Sequence, residues 1–451
     1  MPDSDNTAVP GSDIKPWARP EPQGYLFKNA NVVDVKVGKI IENSIVITRQ
    51  GKIQSVSSSF PEPLPADLTV IDCDGRYLCP GLFDAHVHLC AVPGFSDLSK
   101  AFGNPNDVHL LRQPYTAAQM LHRGFTNIRD CGGAQLALKQ AIDEGVFPGP
   151  RIFISGHALS QFGGHGDLRS AHDNTGCCGG THNNNHLGRM CNGVPECMAA
   201  VREEIRCGAD FIKIMGSGGV ASPTDRLEHL QFTDSEIQAM VECANNAGTF
   251  VTAHAYTVKA IRHCIDNGVK GIEHGNFVDP PTAKMMAHKG VYLTPTLIAY
   301  AQMASERWKG YLPPESQSKN SQVLKSGLEA LKVASEAGVT MCYGSDLLGP
   351  LGSAQTQEFA LRSEVLKPIE ILRSATINPA KMMGCEDSIG QIKEGFHADV
   401  VVLSKNPLKD VTIFDQPEEH VLAVMKEGRV YKSRWSTLAE DSEIPVRVKY
   451  N

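Results

Sequence analysis

GLFDAHVHL, residues 81–89, decides the fold. It is an apolar run of strand length that carries His86 and His88 two positions apart, so on an extended chain both imidazoles face the same side. Seven further apolar runs of similar length follow: FTNIRD (125–130), RIFISGHAL (151–159), DFIKIM (210–215), FVTAHAY (250–256), GIEHG (271–275), VYLTPTL (291–297) and VTMCYGSD (339–346). Between them lie stretches of helical periodicity, such as VPECMAAVREEIRCGA, TDSEIQAMVECANNAG and VLKSGLEALKVASEAG, several ending in Gly at the expected C-cap. Strands alternating with helices predict a parallel α/β architecture, and eight strands with crossover helices predict a (β/α)8 TIM-like barrel over residues 78–388.

The flanks read differently. YLFKNANVVD, SIVITRQGKIQSVS and LTVIDCDG near the start, and ADVVVLSKNP and HVLAVMKEGRVYK near the end, are short Val- and Ile-rich runs broken by Gly, Asn and Pro. They predict a small β-sandwich domain assembled from both chain ends, 24–77 and 389–437. Residues 1–23 are then an N-terminal extension and 438–451 a C-terminal tail. A chain of 451 residues accommodates both units.

Composition removes several classes of function. A net charge of −7, from 50 acidic and 43 basic residues spread along the chain, offers no basic stripe for nucleic acid. No apolar run is long enough to span a membrane. The polar, Pro-rich MPDSDNTAVPGSDIKPWARP lacks the apolar core of a signal peptide, and 13 scattered cysteines fit reduced thiols. The expectation is a cytoplasmic protein.

Chemistry gathers at the C-terminal ends of the strands, where such barrels hold their active sites. His86 and His88 end strand one, Lys213 lies on strand four, His254 on strand five, His274 on strand six and Asp346 on strand eight. Each sits in an apolar run where an unpaired charge is costly to bury. Taken singly, any of them is explained as a satisfied core residue. Six at one end of five strands point instead to a metal site. Imidazole and carboxylate donors suit Zn²⁺ or a similar divalent ion. A protonated Lys213 has no place among cations, whereas a CO2-derived carbamate on its amine would be an anion able to bridge two of them.

HVH after PGLFDA, the Lys of ADFIKIMGSGG, the His of VTAHAYT, the His of GIEHGN and the Asp of YGSD resemble the amidohydrolase superfamily. TNIRDCGG, ALSQFGGHGD, SGGVASPTD and GQIKEGFHADVVVL resemble its prolidase-like branch of metal-dependent dipeptidases and N-acyl-amino-acid carboxypeptidases, related to a fungal ochratoxin-hydrolysing amidase. The resemblance covers roughly residues 24–435. It implies a binuclear site. His86, His88 and Asp346 would bind the more buried ion, His254 and His274 the second, and carbamylated Lys213 would bridge them. A hydroxide held between the ions would attack the amide carbonyl, with Asp346 as general base and then acid.

In GGHGD, His165 could hydrogen-bond a substrate carboxylate or the developing oxyanion, and Tyr256, facing the same way as His254, could donate its phenol to a carboxylate. Both could equally hold loops over the barrel mouth. Together they favour a small amide or dipeptide substrate with a free carboxylate. A homo-oligomer, joined through the barrel, is a separate expectation. Arg129 and Asp130 read as an ion pair behind the site. The segment 160–193 reads as an irregular loop, and Cys177, Cys178, Cys191 and Cys197 do not have the spacing of a zinc ribbon. Hydrolysis of a cyclic amide, lactone or phosphoester uses the same metal site and remains the alternative. A deaminase would carry Glu three residues beyond His254, where this chain has Thr257. A non-catalytic scaffold would have lost ligands, and none of the six is missing.

Overall fold

The computed structural model of the protein describes residues 14–61, 63, 66–101, 105–170, 172 and 187–441. Short runs, most of them Val- and Ile-rich, form the first five strands, β1 (Gly24–Asp34), β2 (Lys39–Arg49), β3 (Lys52–Ser57), β4 (Leu68–Asp72) and β5 (Tyr77–Pro80). Mostly buried runs follow as β6 (Leu82–Val87), β7 (Phe125–Asp130), β8 (Arg151–Ile154), β9 (Ala158–Ser160), the only partly buried β10 (Gly188–Met190), β11 (Ile212–Met215), β12 (Val251–Ala255), β13 (Gly271–His274) and β14 (Tyr292–Thr294). The chain closes with β15 (Val400–Leu403), β16 (Val421–Lys426) and β17 (Arg429–Ser433).

Both chain ends meet in one eight-stranded sheet, in the order β17-β16-β15-β5-β1-β2-β3, with β4 parallel to β1. Its apolar residues, among them Phe27, Val46, Leu78, Val400 and Trp435, form a cluster separate from the main core. β5 pairs with β15, so Leu78 to Pro80 belong to this sheet and not to the central unit.

The central unit is parallel α/β. β6-β7-β8 form one parallel sheet and β10-β9-β11-β12-β13-β14 another. Two expectations change here. The run 151–159 is two strands, because Gly156 at φ +69° turns the chain between β8 and β9. The run 339–346 is not a regular strand. It holds one bridge, Leu293 to Met341, and its Gly344-Ser345-Asp346 end leaves extended geometry, with Asp346 at φ +50°. It is nonetheless tied on both sides. The Cys342 amide donates to the Leu293 carbonyl (2.8 Å), the Ala85 amide to Tyr343 (2.8 Å), and the Asp346 amide to His86 (2.8 Å).

Helices connect the strands and cover them. Asp234–Asn246 starts in a capping box of Thr233 and Glu236 and is followed by Gly248 at φ +75°, a left-handed position that favours glycine. Glycine also permits close approach below the site. A Cβ at Gly81 would lie 2.0 Å from Thr126 Oγ1, so β6 and β7 pack this closely because residue 81 has no side chain. The segment 160–193 contributes β10 beside β9, so it is not wholly irregular. Cys177 and Cys178 lie outside the described residues. Cys131, Cys191, Cys197 and Cys342 are buried and free. No helix among the described residues is long and apolar enough to cross a membrane.

Candidate active site

One cavity is lined by His86, His88, His165, Lys213, His254, Tyr256, His274 and Asp346, all the side chains expected from the sequence to bind metal or substrate. β6 ends at His86-Val87 and delivers both histidines, while β11, β12 and β13 bring Lys213, His254 and His274 from neighbouring ladder positions. His274 stands at φ +75° and Asp346 at φ +50°, conformations that cost a non-glycine residue energy and are found where the surroundings enforce them. The twist at His274 has a geometric use. Successive strand side chains normally face opposite ways, yet here Glu273 reaches His86 while His274 still lies beside Asp346.

Hydrogen bonds assign the imidazole protons. His88 Nδ1 lies 2.9 Å from the Gly132 carbonyl, which can only accept, so Nδ1 carries the proton. His86 Nδ1 lies 2.8 Å from Glu273 Oε2 and donates to that carboxylate. In the neutral rings both Nε2 atoms are then bare lone pairs, and they face each other at 3.3 Å. Asp346 Oδ1 lies 3.3 Å from one and 3.6 Å from the other. Three acceptors converge without a shared proton, an arrangement that a cation resolves. This donor set could hold a metal ion.

Burial favours the neutral form of His86, His254 and His274. Burial pushes His86 down to about 4, helped by Lys213 and opposed by Asp346 and Glu273. Burial lowers His254 and His274 well below the usual range. At Asp346 burial acts in the raising direction, and positive charge on the surrounding imidazoles, in whatever fraction is protonated, acts more strongly in the lowering direction, so the carboxyl lies well below its ordinary value. His254 Nε2 faces the Gly218 carbonyl at 3.2 Å. Lys213 is 1% exposed.

The two side chains expected to contact substrate, His165 and Tyr256, line the cavity and have partners of their own. His165 stacks on His254 at 4.2 Å, and its Nδ1 is 2.7 Å from Ser222 Oγ, whose hydroxyl donates to buried Asp225. Burial lowers His165 to about 4. The Tyr256 hydroxyl lies 2.8 Å from that of Tyr300, which lies 2.9 Å from His274 Nδ1. Apolar Leu168, Val220, Met303 and Leu348 complete the wall.

Arg129 and Asp130 do not form the expected ion pair. Arg129 Nη2 donates to Glu273 (2.6 Å), while Asp130 accepts the backbone amides of Leu89, Gly132 and Ala134. Consecutive β7 residues face opposite ways, which separates the two. Glu273, Tyr300, Ser222 and Asp225 were not singled out from the sequence. Glu273 carried a signal, being a carboxylate inside the apolar GIEHG run. Tyr300 lies in the helix Leu297–Ala304, away from any strand end.

The parallel α/β fold and this cluster define a hydrolase class that the comparisons bear out: the chain belongs to the Amidohydrolase family, matched over residues 77–431. It is a hydrolytic enzyme acting on C–N bonds, of the prolidase-like branch related to ochratoxinase. The ochratoxinase of Aspergillus niger is 32% identical over 364 residues, covering 79% of this chain and 75% of the relative. A prolidase complexed with N-methylphosphonate-L-proline is 40% identical with a TM-score of 0.87, covering 91% of this chain and 100% of that one. A Xaa-Pro dipeptidase with bound methionine in its active site is 27% identical with a TM-score of 0.80, covering 91% and 100%.

Proposed function

We propose that the protein hydrolyses the amide bond of a dipeptide or N-acyl amino acid with a free carboxylate, at a site that holds two divalent metal ions, Zn²⁺ fitting the donors best. The observation that carries this reading is the convergence of His86 Nε2, His88 Nε2 and Asp346 Oδ1 without a proton to share. His86, His88 and Asp346 are assigned to one ion and His254 and His274 to the other. Lys213 is assigned as the bridge, as the carbamate formed when its amine takes up CO2 and releases a proton. When bound, such ions lower the pKa of water and polarise a carbonyl.

The side chains do the rest. Asp346, whose carboxyl lies well below its ordinary value and is ionised at working pH, accepts the proton of the attacking water and returns it to the leaving nitrogen. His165, braced by Ser222 and Asp225, is assigned to the substrate carbonyl or carboxylate, and Tyr256, aligned by Tyr300, to the carboxylate. Leu168, Val220, Met303 and Leu348 exclude water and favour an apolar acyl or side-chain group. The relatives named as a prolidase, a dipeptidase and ochratoxinase support amide cleavage. In the same reading the two parallel sheets and the segment 339–346 form one (β/α)8 barrel spanning 81–388, and 24–80 with 389–437 form a β-sandwich domain beside it.

The test is amino-acid release from a panel of dipeptides and N-acyl amino acids, with metal-loaded wild type set against Asp346→Asn. Wild type is expected to release a free amino acid, and the variant to lose activity by roughly 10²-fold or more, the contribution of a positioned acid–base group. No release from protein holding two metal ions overturns the free-carboxylate reading in favour of a cyclic amide, lactone or phosphoester.

A further inference from the structure

Glu273 is fully buried one residue before His274, and its two oxygens have different partners. Oε1 accepts from Arg129 Nη2 at 2.6 Å and from the Thr252 hydroxyl. Oε2 faces His86 Nδ1 at 2.8 Å. Arg129 is itself fully buried, and its Nε donates to the Ala85 carbonyl at 2.6 Å, on the strand that carries His86. One guanidinium from β7 therefore grips both the backbone beside His86 and the carboxylate behind its ring. Burial acts to raise Glu273, but Arg129 and His86 outweigh it and keep the carboxylate ionised.

We propose that Glu273 is the positioning residue that fixes the tautomer and ring angle of His86, and that Arg129 and Thr252 orient its carboxylate for that task. The inference rests on the metal-site reading above. A carboxylate at Oε2 can only accept, so it draws the His86 proton to Nδ1 and leaves Nε2 bare towards His88 and Asp346. A glutamine at 273 reverses this. The two fixed donors, Arg129 and Thr252, demand an oxygen at the Oε1 position, so the amide NH2 falls against His86 Nδ1. That donor needs a lone pair opposite it and drives the proton to Nε2, the atom that should bind metal.

The test has two readouts on the full chain. Imidazole ¹⁵N spectra of metal-free protein, with the His86 signal assigned by its loss in His86→Asn, report the tautomer. Titration with Zn²⁺ against a chromophoric chelator reports affinity. Wild type is expected to show His86 protonated at Nδ1. Glu273→Gln is expected to shift the proton to Nε2 and weaken the tighter Zn²⁺ site about 10–100-fold, the usual effect of removing such a support. Thr252→Val, which keeps the shape and removes one orienting donor, should weaken it less. It decides the matter if Glu273→Gln does not fold. An unchanged tautomer and affinity in a folded Glu273→Gln, or in Thr252→Val where that alone folds, overturns the proposal. A wild type that binds no Zn²⁺ overturns the metal-site reading instead, and the tautomer spectra still decide whether Glu273 sets His86.

Discussion

Tyr256 illustrates how one side chain can be positioned yet remain available. Its ring stacks on His274 at 5.2 Å and meets His254 edge-on at 4.8 Å, while its hydroxyl rests against Tyr300. Burial pushes the phenol far above its ordinary range, so it stays protonated at working pH and is a hydrogen-bond donor. If it donates to a substrate carboxylate, Tyr256→Phe removes a bond to a charged group worth about 1.5–3 kcal/mol. KM for a free-acid substrate should rise roughly 10- to 100-fold with a smaller change in kcat. The corresponding C-terminal amide should lose far less, and equal losses on acid and amide would assign Tyr256 to structure alone. The six proposed ligands were legible because each places a charge or an imidazole in an apolar run, where burial without a partner is unaffordable. Glu273 meets the same criterion. Tyr300, Ser222 and Asp225 do not, since a tyrosine in a helix or a serine in a loop has many ordinary roles, and only the folded chain brings them to His274 and His165.

At the scale of elements, helix ends and strand runs carry their own instructions. The helix Asp234–Asn246 begins at Thr233, whose side chain accepts the Glu236 amide while Glu236 reaches back to the Thr233 amide. Thr233→Ala leaves an N-terminal donor without its partner and should cost about 1 kcal/mol in urea unfolding, with turnover unchanged. A stability loss several times larger would mean that Thr233 does more than start a helix. Six expected strands lie within runs read directly from apolar patterning, and the helices end at the anticipated glycines. VTMCYGSD departs from the pattern for a physical reason. Apolar runs report burial, whereas a ladder needs continuous extended backbone, and Asp346 at φ +50° breaks it where its carboxylate must turn towards His86 and His88. The division of RIFISGHAL at Gly156 has the same origin, since a glycine in a run marks a bend only once its φ is known.

At the scale of the molecule, the sheet built from both chain ends is fastened to the central α/β unit by ion pairs whose residues do not line the histidine-rich cavity. Asp399, 3% exposed just before β15, accepts Arg151 Nη1 from β8 at 2.8 Å and the Glu427 amide at 2.9 Å, and Arg151 Nη2 reaches Glu427. Burial acts to raise Asp399, but the Arg151 guanidinium outweighs it and holds the carboxyl below its ordinary value. A carboxyl lowered on folding contributes stability that is complete above the unfolded-state pKa and fades as pH falls through the folded one. Asp399→Asn removes that charge and leaves Arg151, 17% exposed at its side chain, short of a partner. The expected cost near neutral pH is about 3 kcal/mol, the low end for breaking a buried pair because Arg151 keeps Glu427 and some water. Urea unfolding of wild type and variant from about pH 7 down to about pH 3 should show a constant gap that begins to narrow once the pH falls below about 4, the unfolded-state value, and that would go on narrowing towards the lower folded-state value. A gap that stays constant over that range would mean the join depends on packing and neutral hydrogen bonds, with the Arg151–Asp399 charge contributing little.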